Sequence, residues 1–149
     1  MLKKSFTLIE LLVVIAIIGL LASITLVVVM SARYKAKDTR IMMDMRQVRI
    51  IAESINRDYD SYANLCDPSD NTLKQTAPPP YGEQLDTIEK DITVQQGILS
   101  LTCRASTGSY CVDVDLKATG QGRYCIDDEG YATTTAEGFS CSTATTTCM

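Results

Sequence analysis

The sequence predicts an α+β protein: one long N-terminal helix, its first half able to span a membrane, with a small antiparallel sheet packed on its second half and stapled by disulfides. Three observations carry that prediction. Residues 6–30, FTLIELLVVIAIIGLLASITLVVVM, are apolar except for Glu10, and at about 1.5 Å per residue they cross a hydrocarbon layer of about 30 Å. Beyond them, no proline or glycine interrupts the chain from Leu20 to Tyr62, and Ile41, Met45, Val48, Ala52, Ile55 and Tyr59 repeat at spacings of four and three, one stripe of a helix. Six cysteines, Cys66, Cys103, Cys111, Cys125, Cys141 and Cys148, all lie after this helix, among short runs that alternate apolar and polar.

Taken in order, the apolar segment first raises the question of its acid. A carboxylate in lipid costs roughly 2.5–3.5 kcal/mol at mid-depth, less near an end, and such groups usually have a partner. A helix from Phe6 to about Tyr59 is expected to reach about 80 Å. Arg33, Lys35 and Lys37 follow the apolar run and suit lipid headgroups, acidic neighbours or a solvated face. The turn formers of DYDSYANLCDPSDN predict the helix end near residues 58–62, where Cys66 is placed to tie the spine to the sheet. TAPPPYG, with Pro78, Pro79 and Pro80, predicts a polyproline II connector. Leu85, Ile88 and Ile92 in GEQLDTIEKDI predict a helix of two or three turns laid over the sheet.

Strand character is expected from Val94. Residues 98–103, 109–116 and 123–128 read as strands separated by glycine-containing turns. Tyr110, Val112, Val114 and Leu116 share one face against Cys111, Asp113 and Asp115, and Tyr124 and Ile126 oppose Cys125 and Asp127. That alternation predicts a sheet with one face on the helix and the other wet, the last two strands forming a hairpin. The Thr- and Ser-rich tail from Gly130 reads as disordered but for its cysteines. Cys141 and Cys148 close a small loop or reach back to the sheet, and six cysteines allow fifteen pairings.

Composition narrows the function. The net charge is −4, and removing Lys3 and Lys4 would leave 12 basic against 18 acidic side chains, which argues against a nonspecific nucleic-acid binder. The chain has no histidine, so the commonest general base and zinc ligand are missing and no serine or threonine has an imidazole to activate it. The cysteines form no CxxC, and their even number fits bridges in an oxidising compartment better than zinc or redox chemistry. Asp113 with Asp115, and Asp127, Asp128 and Glu129, offer oxygens for calcium, but without a ligand at every second position they read as wet-face acids. No glycine-rich phosphate loop is present. These readings predict no enzyme and no cofactor. A secretory signal is disfavoured by the long apolar run and its early Glu10. A plain anchored extracytoplasmic binding domain is the rival from another class; by basic count alone its C-terminus would be cytoplasmic.

KKSFTLIELLVVIAIIGLLA resembles the class III signal and N-terminal helix of the type IV pilin family, which includes the pseudopilins of type II secretion. It has a short basic leader, a small residue before the cut, an aromatic new N-terminus and a glutamate four residues on. The resemblance implies a leader of residues 1–5, a membrane and assembly helix of residues 6–30, and an extracytoplasmic pilin-like domain of residues 31–149. It further implies cleavage between Ser5 and Phe6 by a membrane prepilin peptidase, N-methylation of Phe6, and Glu10 as the acid that meets the new amine within one subunit or between staggered ones. Ser5 stands where the family usually has glycine, and Val27 near where many pilins have proline. The implied partners are other copies or related pilins in a helical filament, the assembly machinery and the bacterial inner membrane. The implied roles are those of a surface pilus serving adhesion or twitching, or a periplasmic pseudopilus, and a C-terminal disulfide fastening the outermost loop.

Overall fold

The computed structural model of this 149-residue chain describes residues 7–118, 120, 122–135, 141 and 148. Two compact units divide it, residues 1–34 and residues 35–149. Helix α1 (Leu8–Tyr59), with Thr7 before it, supplies the described part of the first unit and opens the second.

Within the second unit the predicted stripe is the buried edge of α1: Ile41, Met45, Val48, Ala52 and Ile55 are fully buried. Tyr59 departs from the stripe. It is 43% exposed and meets Tyr81 edge-on at 6.5 Å, because the helix stops there and Asp60 takes a left-handed φ of 51°.

The predicted polyproline connector is instead a turn. The Tyr81 N–H donates to the Pro78 carbonyl at 3.0 Å, the Pro79–Pro80 bond is cis, and Pro80 is the N-cap of helix α2 (Tyr81–Gln96). Gly82 permits the tight entry, since a Cβ there would stand 2.8 Å from the Ala77 carbonyl oxygen. Leu85, Ile88 and Ile92 face the core as expected, but α2 is longer than two or three turns and takes in Val94, where strand character was expected to begin. Gln96 explains the extension. Its Nε2 donates to the Asp115 carbonyl at 2.6 Å and its Oε1 accepts the Ser100 N–H at 3.1 Å, so the helix end is held to the sheet and Gly97 caps it at φ 83°.

The sheet is a four-stranded antiparallel meander: β1 (Leu101–Ala105), β2 (Tyr110–Asp115), β3 (Arg123–Asp127) and β4 (Ala132–Thr135). In its register Cys103 faces Val112, and Val112 faces Ile126. Strand β4 lies in the tail read as disordered. Its β-branched threonines suit a pleated edge, and pairing from Ile126–Ala132 to Arg123–Thr135 satisfies main-chain groups that a free tail would leave to water. Tyr110, Val112, Val114, Tyr124 and Ile126 join the α1 stripe and the α2 leucine and isoleucines in one core.

Buried acids hold the connections between these elements. Asp38, on α1, accepts the N–H groups of Lys117 and Ala118, both at 2.7 Å, one on each carboxylate oxygen. Glu89, on α2, accepts the Leu73 N–H at 3.0 Å and Gln75 Nε2 at 3.1 Å, while burial pushes its carboxyl above the usual range. Cys66 is bridged to Cys103 of β1, closing the segment after α1 onto the sheet edge.

Asp44 is the acid without such provision. Its side chain is 4% exposed, its Oδ1 is 3.8 Å from Arg40 Nε, and its Oδ2 has no hydrogen bond among the described residues, whereas Arg40 gives its short 2.7 Å bond to Asp91. Burial, with the neighbouring Asp91 carboxylate, pushes Asp44 up to about 6. The folded state thus binds a proton more tightly than the unfolded chain, and the stability linked to it falls as pH rises from about 4 to about 6. Asp44→Asn is expected to stabilise the protein by about 1–2 kcal/mol at pH 8, with the gain shrinking below pH 6 and vanishing near pH 4. Urea unfolding of both forms across that range checks it.

Candidate assembly helix and clamped sheet face

The first unit exposes an apolar surface. From Leu8 to Met30 the large apolar side chains, Val27 aside, are 47–80% exposed. At about 1.5–3 kcal/mol for each such side chain buried, covering them with lipid or with other helices is worth tens of kcal/mol. The polar residues inside this stretch are reconciled with an apolar surrounding. Ser23 Oγ donates to the Leu20 carbonyl at 2.8 Å and Thr25 Oγ1 to the Ala22 carbonyl at 3.0 Å, so neither hydroxyl needs water. By length and composition α1 is able to cross a membrane.

Glu10 sits at the start of this helix in a capping box. Its Oε2 accepts the Thr7 N–H at 2.9 Å and the Thr7 hydroxyl at 2.7 Å, and the Glu10 N–H points back to Thr7 Oγ1 at 3.4 Å. The pattern was legible as Thr7-Leu8-Ile9-Glu10, a threonine three residues before a glutamate at the head of an apolar run. Looking for a partner only in the new amine missed it. Ser5 and Phe6, singled out for cleavage and methylation, lie outside the described residues. Arg33, Lys35 and Lys37 are exposed.

The second unit carries an arrangement that the alternation did not reveal. The sheet face opposite the core was expected to be wet, yet Cys111, Asp113, Cys125 and Asp127 are at most 1% exposed. The tail cysteines cover it. Cys141 is bridged to Cys111 and its N–H donates to Asp113 Oδ2 at 2.7 Å; Cys148 is bridged to Cys125 and its N–H donates to Asp127 Oδ2 at 3.0 Å. Each strand thus offers a Cys-x-Asp triplet, CVD on β2 and CID on β3, that takes one tail cysteine by sulfur and by amide together. The second oxygen of each carboxylate is also used: Asp113 Oδ1 pairs with Arg123 at 2.7 Å and Asp127 Oδ1 accepts the Tyr131 N–H at 3.0 Å. Two of the acids considered for calcium are therefore occupied by main-chain and guanidinium donors. Asp115 lies 3.1 Å from Arg123, and Asp128 Oδ1 accepts the Tyr110 N–H at 3.1 Å.

Residues 1–30 match the family model for the prokaryotic N-terminal methylation motif. A probable minor fimbrial protein of Dichelobacter nodosus is 40% identical over 67 residues, which cover 42% of this chain and 42% of that protein. The chain thus matches less than half the length of this relative. No solved structure matches it.

The Cys-x-Asp grip sets a stability prediction. Asp113→Ala removes a buried acceptor, takes one of the ion-pair partners of Arg123 and leaves the Cys141 N–H without its acceptor, at an expected cost of about 1–3 kcal/mol. Asp115→Ala, at the solvent-facing arm of the same arginine, is expected to cost under about 1 kcal/mol. Urea midpoints of the oxidised, detergent-solubilised chain compare the two.

Proposed function

We propose that this chain, which matches the prokaryotic N-terminal methylation motif, is a type IV pilin-like subunit, made as a precursor cleaved between Ser5 and Phe6, methylated on Phe6, and polymerised through its apolar helix. A membrane prepilin peptidase would cut on the cytoplasmic side, leaving the disulfide-bonded domain outside the inner membrane. The observation that carries this reading is the bare apolar surface of Leu8–Met30, headed by a single acid, in a chain whose second unit has a closed core of its own. A surface of that size has two stable resting places, the bilayer and a bundle of like helices. A filament drawn from the membrane uses both in turn.

Glu10 is the hinge of the mechanism. Cleavage would create a cation on Phe6, next to the Thr7 N–H that Glu10 already accepts, and methylation would leave that cation charged. Neutralising the pair in lipid lowers the cost of each charge, and pairing with a neighbouring subunit's amine would set the axial stagger. The bonds to Thr7 orient the carboxylate until such a partner arrives. The fimbrial name of the relative favours a surface pilus over a secretion pseudopilus. Deletion strains distinguish them: loss of surface fibres marks the first, loss of protein export the second.

N-terminal sequencing of protein recovered from membranes is expected to begin at N-methylated Phe6; an intact Met1 would overturn the reading in favour of a plain anchored domain. Glu10→Gln is expected to leave membrane levels and the three bridges unchanged while incorporation into filaments, measured by shearing and immunoblotting, falls at least about tenfold, the loss of about 1.4 kcal/mol or more per contact.

A further inference from the structure

The two tail bridges lie against each other. Cys111 Sγ is 3.6 Å from Cys125 Sγ, and the sulfurs of Cys111, Cys125 and Cys141 all fall within 4.8 Å of one another. Their strands explain the contact: Cys111 pairs with Asp127 and Asp113 with Cys125, so the two cysteines are diagonal neighbours on one face of the β2–β3 ladder. Exposure differs along the chain of sulfurs. Cys111, Cys125 and Cys141 are buried, and Cys148 alone of the four is half-buried. The Cys66–Cys103 bridge stands apart, in the main core.

We propose that these four cysteines form a thiol–disulfide exchange relay, through which an external dithiol acting at Cys148 frees both tail cysteines by a single two-electron reduction. One thiolate of the dithiol attacks the Sγ of Cys148, the least buried of the four residues, and breaks the Cys125–Cys148 bond, expelling Cys125 as thiolate. The second thiol of the reagent closes on the first, leaving as a cyclic or linked disulfide and releasing Cys148. Cys125, already 3.6 Å from Cys111, attacks Cys111 Sγ, forms the Cys111–Cys125 bond and expels Cys141. An approach of about 1.5 Å brings the two sulfurs to the bonding distance of about 2.05 Å. The dithiol has lost two electrons and two protons; the chain keeps two disulfides, with the protons on Cys141 and Cys148. The sheet is left cross-linked between its own strands, and both covalent ties to the tail are gone. This property would be independent of whether the chain polymerises.

The experiment takes the full oxidised chain in detergent, adds dithiothreitol up to one equivalent, quenches in acid, alkylates and maps peptides without further reduction. Label is expected on Cys141 and Cys148 with Cys111 joined to Cys125, Cys141 carrying at least about tenfold more label than Cys125, and Cys66–Cys103 intact. Label on Cys125 and Cys148 with Cys111–Cys141 preserved would overturn the relay, as would opening of all bridges together. Cys148→Ser tests the second step without any reductant. Its odd thiol is expected at Cys141, and a thiol at Cys125 beside an intact Cys111–Cys141 bridge would refute the exchange.

Discussion

Buried carboxylates that receive main-chain N–H groups hold the irregular parts of this domain in place. Asp38, Glu89, Asp113 and Asp127 each use both oxygens, one donor apiece, and at least one donor in every case is a backbone amide. The amides lie outside the four paired strands: in the β2–β3 connection, the stretch before α2, the β3–β4 turn and at the tail cysteines. Main-chain donors cut off from water must find acceptors, and a carboxylate is a stronger one than a carbonyl. The acidity of the chain is therefore partly internal architecture rather than surface charge.

Among the described residues, this device covers the second face of the sheet with sulfurs and paired carboxylates. One face packs on the α1 stripe through Tyr110, Val112, Val114, Tyr124 and Ile126. The other is roofed by two disulfides and two carboxylate clamps. The buried core lies in the second unit, and the described large apolar side chains of α1 up to Met30 are exposed. On the proposed function, burial of the helix would be exchanged between lipid and protein without drawing on the core of the second unit.

Much of this was legible in the chain. The spacing from Ile41 to Ile55 gave the buried edge of α1, and the alternation in YCVDVDL and RYCIDD gave the core face of the sheet. Other features were hidden for identifiable reasons. Alternation says which residues share a face but not what covers it, so Cys111, Asp113, Cys125 and Asp127 read as wet when they are roofed by residues distant in sequence. Local propensity placed Val94 in a strand, whereas a tertiary contact, Gln96 to Asp115 and Ser100, keeps it helical. Three prolines suggested extension, yet the bond from Tyr81 to Pro78 closes them into a turn. The box around Glu10 was readable from Thr7, but the acid was assigned to the new amine of Phe6 instead.

The clamps also bear on why the pairing of cysteines escaped the sequence. Spacing along the chain cannot separate Cys141 with Cys111 from Cys141 with Cys125, since those sulfurs end up within one small cluster. What distinguishes the observed arrangement is that each tail cysteine donates its amide to the aspartate on the same strand that holds its sulfur. Exchange of the two partners would have to move the amides as well as the sulfurs, or break bonds between buried carboxylates and main-chain donors worth about 1.5–3 kcal/mol each. The non-covalent half of the grip thus biases the covalent half. It also implies that opening one bridge does not of itself release the tail: the carboxylates still hold the amides, and departure requires water to take their place.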